Sequence, residues 1–303
     1  MSRDTARRVR APRDPDTLEE IESVVSAYLE AVDAEAPGLV EGLYLTGSAA
    51  LGDFRPHSSD IDFVAVTATR LAAPAIATLK RAHARLRNRP YFDGLYVNWD
   101  DLAHDPALTG QLPSSHEGRF QTDKHRGDPV TWHTVARHGI ACRGPQPADL
   151  KIWADPDGLA VWTLDNLESY WRPLLDAAAR FPHRWSLISL TSWGAVWIVL
   201  GISRLHYTLA TGEICSKEAA GRYALQTFPE QWHGVIKEAL RIRQADRARA
   251  DFVSALADIG AASLGRRRDA VAFGYMVIAD AQRRYGRDKH SGSRAQATQA
   301  STP

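Results

Sequence analysis

Apolar residues recur along the first half of the chain with two different spacings. Leu18, Ile21, Val25 and Leu29 fall at helical spacing, which predicts a helix over Asp16–Ala34. Short apolar runs bounded by Gly, Pro or Ser predict strands instead. In chain order, the pattern predicts strands at Gly42–Leu45, Ile61–Thr67, Leu95–Trp99 and Ile140–Arg143, a helical turn at Ala49–Leu51, and further helices at Ala73–Leu86 and Val130–His138.

From about Leu164 the pattern is helical and offers no good strand. Helices are predicted near residues 164–180, 185–211, 216–228, 230–243, 247–263 and 266–284. The predicted fold class is therefore α+β, with a mixed sheet and helices over residues 17–150 and an all-α bundle over residues 160–285. The linker is predicted at Pro145–Gly158, and residues 1–16 and 286–303 are predicted to be flexible tails.

Composition narrows the function classes. The 303 residues carry a net charge of +1, which gives no general field for a nucleic-acid or membrane partner. The most apolar stretch, Ser186–Gly201, contains four Ser or Thr residues and is shorter than the ~20 apolar residues of a membrane span. No secretory signal is visible, and Cys142 and Cys215 have no metal-type spacing. We expect a cytoplasmic, monomeric protein with reduced thiols.

Two carboxylates and a Gly-Ser pair stand close to the ends of the first two predicted strands. Asp60 and Asp62 project to one side of a strand, because residues i and i+2 share a face. Such a pair suits Mg²⁺, which binds one or two carboxylates and completes its shell with water and substrate phosphates. Gly47 permits a tight turn, and Ser48 offers a hydroxyl and a backbone N–H to phosphate. The alternative is a pair of solvated aspartates at the start of a surface strand.

The segment LYLTGSAALGDFRPHSSDIDFVAV, residues 43–66, resembles the DNA polymerase β-like nucleotidyltransferase superfamily. Within it, the segment is most similar to the aminoglycoside nucleotidyltransferases of the streptomycin/spectinomycin 3″/9 adenylyltransferase type. Gly201–Pro229 resembles the helical domain of that group, and Thr131–Pro147 resembles the region that closes its first domain. The resemblance implies a polymerase β-like nucleotidyltransferase domain followed by a helical domain. It also implies ATP- and Mg-dependent adenylyl transfer to an antibiotic hydroxyl, with release of pyrophosphate.

The resemblance also assigns roles to residues of the first domain. Gly47 and Ser48 would hold the triphosphate, and Asp60 and Asp62 would hold Mg²⁺. A glutamate of the family, which acts as a third catalytic carboxylate, aligns with Asp93. This is a departure, because aspartate is one methylene shorter. A turn aspartate is the alternative for Asp93, and Asp100 and Asp101, which have the pattern of a helix start, are the fallback candidates for the third carboxylate.

In the second domain, the resemblance points to contacts with nucleotide and acceptor. Lys217 is a candidate nucleotide-phosphate contact, with a solvated lysine as the alternative. Glu218, and less strongly Glu213, are candidate contacts to a cationic acceptor. His206 stands where the family commonly has an aromatic residue; it is a candidate acceptor contact, with a packed core histidine as the alternative. Arg55 could contact phosphate or be a solvated loop arginine.

Two other function classes stay open at this stage. A nucleotidyltransferase that modifies a protein is disfavoured by the long helical second half. A catalytically decayed nucleotide-binding relative is disfavoured by the retained Gly47, Ser48, Asp60 and Asp62. The Asp93 departure keeps that last possibility open.

Overall fold

The computed structural model describes residues 15–86, 89–245 and 260–286 of the chain. The chain divides between Asp155 and Pro156 into two compact units, and this division lies within the segment Pro145–Gly158. Apart from its last four residues, the helix predicted at 247–263 lies outside the described residues. So do the predicted tails, except for residues 15, 16 and 286.

The first unit combines six strands with five helices among its described residues. The helices are α1 (Pro15–Asp33), α2 (Gly47–Ala50), α3 (Ala73–Arg85), α4 (Trp99–Ala103) and α5 (Pro129–His138). The strands are β1 (Gly42–Leu45), β2 (Ile61–Thr67), β3 (Phe92–Asn98), β4 (Gln111–His116), β5 (Arg119–Arg126) and β6 (Ile140–Arg143).

These strands form one mixed sheet in the order β5-β4-β3-β2-β1-β6. Strands β2 and β3 run parallel, and all other neighbours run antiparallel. A parallel pair needs a crossover, and α3 lies in the connection between β2 and β3. The parallel register places Asp62 directly opposite Asp93.

Strand β2 is buried on both faces, as expected for a central strand covered by helices. Ile61, Phe63 and Ala65 belong to the core cluster that includes residues of α1 and α3. Val64 and Val66 belong to the opposite cluster, which includes residues of α4 and α5. Asp62 is in phase with Val64, so it lies on the face of the sheet that carries α5.

The second unit is helical throughout its described residues. Its elements are α6 (Pro156–Asn166), a π-helical turn (Leu167–Trp171), α7 (Arg172–Ala179), α8 (Arg184–Ile188), α9 (Ser192–Thr211), α10 (Lys217–Thr227), α11 (His233–Gln244) and α12 (Ala261–Tyr285). Helix α9 packs against α6, α10, α11 and α12 and forms the centre of this unit. Its apolar sequence therefore reflects burial, and no helix in the described parts of the chain is long and apolar enough to span a membrane.

The predicted α+β class is confirmed, with a mixed sheet and helices followed by a helical region. The main error is the β4–β5 hairpin, which the sequence pattern did not predict. Strand β5 lies at the edge of the sheet, its residues are exposed or half-buried, and it has no apolar alternation. Strand β3 also begins three residues before the predicted start. The sequence pattern missed this first part of the strand because Asp93 and Gly94 are poor strand formers.

Candidate active site

The turn after β1 is in direct contact with one of the two aspartates. Gly47 has a φ of +54°, which favours glycine, and a Cβ added there would lie 1.8 Å from Asp62 Oδ2. The backbone N–H of Thr46 donates to the carbonyl of Asp62 at 2.8 Å. Gly47, Ser48 and Asp62 are therefore brought together by the antiparallel pairing of β1 with β2.

The spacer between the turn and β2 is held by its own hydrogen bonds. The N–H of Asp53 donates to the carbonyl of Ser48 at 2.9 Å. The N–H of Arg55 donates to the hydroxyl of Ser59 at 3.0 Å, and the N–H of Ser59 donates to the carbonyl of Arg55 at 2.8 Å. Arg55 Nε lies 3.4 Å from Asp53 Oδ1, so this candidate phosphate contact is paired within the spacer.

Asp60 lies immediately before β2 and has a cationic neighbour that the sequence analysis did not identify. Arg89 Nη1 lies 3.5 Å from Asp60 Oδ1, and its guanidinium also lies 4.7 Å from the centroid of the Tyr91 ring. The position of Arg89 in the sequence, close before the strand that carries Asp93, is the one local feature that points to it as a neighbour of the site. The parallel pairing that brings it to Asp60 is not visible in the local pattern.

Asp93 lies on β3 beside Asp62 and faces the same side of the sheet, since registered residues of neighbouring strands share a face. Its side chain is buried, and Oδ2 accepts a hydrogen bond from the backbone N–H of Glu117 at 2.8 Å. Its Oδ1 is also buried and has no hydrogen-bond partner among the described residues. Asp60 and Asp62 therefore lie at the start of β2, and Asp93 lies at the start of the adjacent strand β3.

The environment of Asp93 changes its proton affinity. The pKa of Asp93 is raised to about 6, mainly by burial and further by the charge of Asp60. The backbone hydrogen bonds from Glu117 and Gly118 and the neighbouring His116 act in the opposite direction and limit this rise. A carboxylate with such a pKa can accept a proton at neutral pH more readily than an ordinary aspartate. Asp93 is thus equipped for general-base chemistry.

The two fallback carboxylates are used elsewhere. Asp101 forms a capping box with Asn98 at the start of α4, and its Oδ1 accepts a 2.6 Å hydrogen bond from Arg70. The side chain of Asp100 is 85% exposed. Of the three candidates for a third carboxylate, only Asp93 lies beside Asp62.

Lys217 and Glu218 occupy the first turn of α10. Lys217 Nζ lies 5.4 Å from the centroid of the Trp197 ring, within the range of a cation–π contact. Glu218 Oε1 is bonded by the guanidinium of Arg222 and lies 3.4 Å from Gln244 Nε2, and its side chain is 15% exposed. Its negative charge is therefore already paired on the same helix.

His206 lies in the core of the second unit. Its side chain is fully buried, with Nδ1 2.8 Å from the Tyr223 hydroxyl and Nε2 3.0 Å from Asp280 Oδ2. Burial lowers its pKa. This placement corresponds to the packed core histidine that the sequence left open, and it does not favour a direct contact with an acceptor.

Family models match both halves of the chain. A model described as "Nucleotidyltransferase domain" matches residues 25–87, which include Gly47, Ser48, Asp60 and Asp62. A model described as "Aminoglycoside adenylyltransferase, C-terminal domain" matches residues 185–260, which include His206, Lys217 and Glu218. Asp93 lies outside both matched ranges.

Curated relatives extend the same likeness over most of the chain. An aminoglycoside (3'') (9) adenylyltransferase from Klebsiella pneumoniae is 26% identical over 257 residues, covering 80% of this chain and 88% of its own length. One from Escherichia coli is 26% identical over 238 residues, covering 73% and 82%. The fold is also that of spectinomycin adenyltransferase AAD(9) from Enterococcus faecialis, solved with ATP and spectinomycin. That match has a TM-score of 0.56 and 14% identity, and it covers 82% of this chain and 98% of that one.

Proposed function

Since this chain is a nucleotidyltransferase related to the aminoglycoside adenylyltransferases, we propose that it adenylylates an aminoglycoside-type antibiotic. AMP passes from ATP to a hydroxyl of a streptomycin- or spectinomycin-like acceptor, and pyrophosphate is released. The observation that carries this proposal is the registered pair Asp62–Asp93 beside the Gly47 turn.

The triphosphate of ATP binds at the Gly47-Ser48 turn. Because Gly47 has no side chain, the Asp62 carboxylate can lie directly against this turn, which puts the proposed phosphate and metal sites next to each other. Ser48 supplies a hydroxyl and a backbone N–H to the phosphate oxygens. Lys217 is a second candidate phosphate contact, supported by the match of its segment to the C-terminal family model.

Asp60 and Asp62 are the residues that would hold Mg²⁺. The described residues contain no set of three or more His, Cys, Asp or Glu side chains arranged to bind a metal by themselves. Two carboxylates nevertheless fit Mg²⁺, which commonly takes one or two and completes its shell with water and substrate phosphates. The ion supplies charge stabilisation for the phosphates in the transition state.

Asp93 is the base for the acceptor hydroxyl. Its buried carboxylate, with a pKa of about 6, is ionised at neutral pH and lies beside Asp62. Removing the proton makes the acceptor oxygen a better nucleophile toward the α-phosphate. The shorter aspartate therefore takes the place that a glutamate holds in the resembled family.

Acceptor recognition is assigned to the acidic residues of the second unit. An aminoglycoside is a polycation, and a carboxylate attracts it through charge. Glu218 is the candidate, although its pairing with Arg222 means that a bound acceptor has to compete with that arginine. His206 acts in this picture by supporting the packing of α9, α10 and α12.

The test is pyrophosphate release from ATP, with and without Mg²⁺, in the presence of streptomycin, spectinomycin and other aminoglycosides. We expect release with at least one drug and none after chelation of Mg²⁺ by EDTA. Asp60→Asn and Asp62→Asn should each abolish release without changing the circular dichroism spectrum. Asp100→Asn, at an 85% exposed carboxylate, is the matched control and should retain activity. Absence of release with every drug would contradict the proposal.

A further inference from the structure

The tip of the β4–β5 hairpin lies against Asp93. His116 and Arg119 are the last registered pair, so Glu117 and Gly118 form a two-residue loop. Their φ values are +49° and +69°, which is the pattern of a type I′ turn. Among the described residues, Glu117 is the only non-glycine residue with positive φ. Asn, Asp or Gly would adopt that conformation at lower cost, so the turn keeps an unfavourable residue there.

Two contacts from this tip reach the same oxygen of Asp93, and a backbone hydrogen bond from Gly118 also favours its charged form. The Glu117 backbone N–H donates to Oδ2 at 2.8 Å, and His116 Nδ1 lies 3.6 Å from that oxygen. Oδ1 is buried and has no hydrogen-bond partner in the described part of the chain. The two carboxylate oxygens are therefore inequivalent, because the hairpin bonds one of them and the other has no hydrogen-bond partner among the described residues.

We propose that the hairpin tip determines which oxygen of Asp93 acts as the base, and that His116 is a positioning residue for it. This inference rests on the proposed adenylyl transfer. Oδ1 takes the proton from the acceptor hydroxyl, and the freed electron pair forms the bond to the α-phosphorus. The bond from the α-phosphorus to the oxygen that bridges it to the β-phosphorus breaks, and pyrophosphate leaves with the electron pair of that bond.

Contacts that hold one carboxylate oxygen in place matter for an aspartate on a strand. Its carboxylate has a short stem, so small rotations of the side chain move the reactive oxygen relative to the acceptor. A misplacement of about 1 Å can cost about 100-fold in rate. Two contacts on Oδ2 limit that rotation, since the hairpin itself is fixed by its pairing with β3.

Other charged groups lie around His116 and Asp93. Asp60 faces Asp93 from the start of β2, and its charge opposes ionisation of Asp93. The His125 ring on β5 lies 6.1 Å from the His116 ring, and the charge of Asp128 acts on His125. His116 is thus the side chain that connects the hairpin to Asp93.

The test uses the full chain with the drug that supports pyrophosphate release. His116→Ala should lower kcat about tenfold, because the Asp93 carboxylate loses a contact that limits its rotation, with a KM for ATP within about twofold of wild type. His116→Asn keeps a donor close to the position of Nδ1 and should return kcat to within about threefold of wild type.

His104→Leu is the matched control, because the His104 and His116 side chains are both 58% exposed. It should leave kcat unchanged. Wild-type kcat in His116→Ala would overturn the positioning role. An equal loss of kcat in the Ala and Asn variants would also overturn it, since that pattern describes packing alone.

A second measurement does not depend on turnover. In NMR spectra of the full chain, the amide proton of Glu117 should resonate downfield, because it donates to a carboxylate, and it should shift upfield in Asp93→Ala. If the wild type is inactive with every acceptor, the proposed function fails while this difference in chemical shift still decides the hairpin contact. An amide signal that is the same in wild type and Asp93→Ala would overturn the contact and the inference with it.

Discussion

Gly47 and Asp62 illustrate how two residues far apart in sequence limit each other. The space that a side chain would need at position 47 is filled by the Asp62 carboxylate, 1.8 Å from an ideal Cβ. The positive φ of Gly47 adds a second reason for glycine, because L side chains rarely adopt it. The turn that we propose for phosphate and the carboxylate that we propose for Mg²⁺ are therefore one steric unit.

Gly47→Ala should inactivate the protein, because the new methyl group displaces the Asp62 carboxylate. We expect kcat/KM to fall at least about 100-fold and the free energy of unfolding to fall by about 1–3 kcal/mol. Gly38→Ala is the matched control, since Gly38 has a φ of +76° but no atom within 4 Å of an added Cβ. It should lose about 1 kcal/mol and keep its activity. Equal loss of activity in both variants would refute the steric account.

The buried carboxylate of Asp93 should reduce stability at neutral pH. Its folded-state pKa of about 6 lies above the ordinary value of 3.8, so the folded state binds the proton more tightly. The free energy of unfolding should therefore fall by about 3 kcal/mol as the pH rises through this window. Below pH 4 the group is protonated in both states and this difference is absent.

Asp93→Asn should accordingly be more stable than wild type at pH 8 and gain little or nothing at pH 4, while losing transfer activity. The asparagine carbonyl can still accept the hydrogen bond from Glu117, so the hairpin contact is retained. The measurement is urea unfolding at both pH values in EDTA. A variant that is less stable than wild type to the same extent at pH 8 and pH 4 would contradict the prediction.

At the scale of elements, a buried hydrogen-bond chain joins α1, α3 and β3. The Tyr96 hydroxyl lies 2.6 Å from the Tyr28 hydroxyl and 2.7 Å from His83 Nε2. All three side chains are buried on the face opposite Asp93. Because buried polar groups without partners are costly, this hydrogen-bond chain fixes how α1 and α3 pack against β3, the strand that carries Asp93.

Tyr96→Phe should cost about 2–4 kcal/mol of unfolding free energy, since it leaves both Tyr28 and His83 without their shared partner. Tyr44→Phe is the comparison, because the buried Tyr44 hydroxyl has one protein partner, the Pro145 carbonyl at 3.0 Å. That variant should cost about 1 kcal/mol. Thermal unfolding of the two variants checks this, and equal losses would show that the chain adds nothing beyond a single bond.

The β4–β5 hairpin is the element that local reasoning missed. Its strands, QLPSSH and RFQTDKHR, have no apolar alternation, and a proline stands within β4. They are ordered by pairing with β3 rather than by their own propensity. The hairpin nevertheless supplies Glu117 and His116 to Asp93, so the missed element carries part of the candidate site.

At the scale of the whole molecule, the chain consists of two units with separate cores. The shift from mixed periodicity to continuous helical periodicity near Leu164 was visible in the sequence, because each unit buries its own apolar faces. The family models match one segment in each unit. The roles of Lys217 and Glu218 stay predictions. The pyrophosphate-release assay can test them with variants at these two positions.

The sequence by itself determined the features that depend on neighbours along the chain. These are the Gly47-Ser48 turn, the strand that begins at Ile61 and carries Asp62, the amphipathic helices and the capping acids of α4. Local backbone sterics and side-chain periodicity are enough to specify them.

Only the tertiary structure decided the contacts made by strand pairing and core packing. The parallel register set Asp93 beside Asp62, the hairpin brought Glu117 and His116 to Asp93, and helix packing buried His206. Such contacts join residues that are distant in sequence, and their energy comes from burial and hydrogen bonding in the assembled sheet or bundle. No local pattern encodes that geometry, so these parts of the candidate site required the structure.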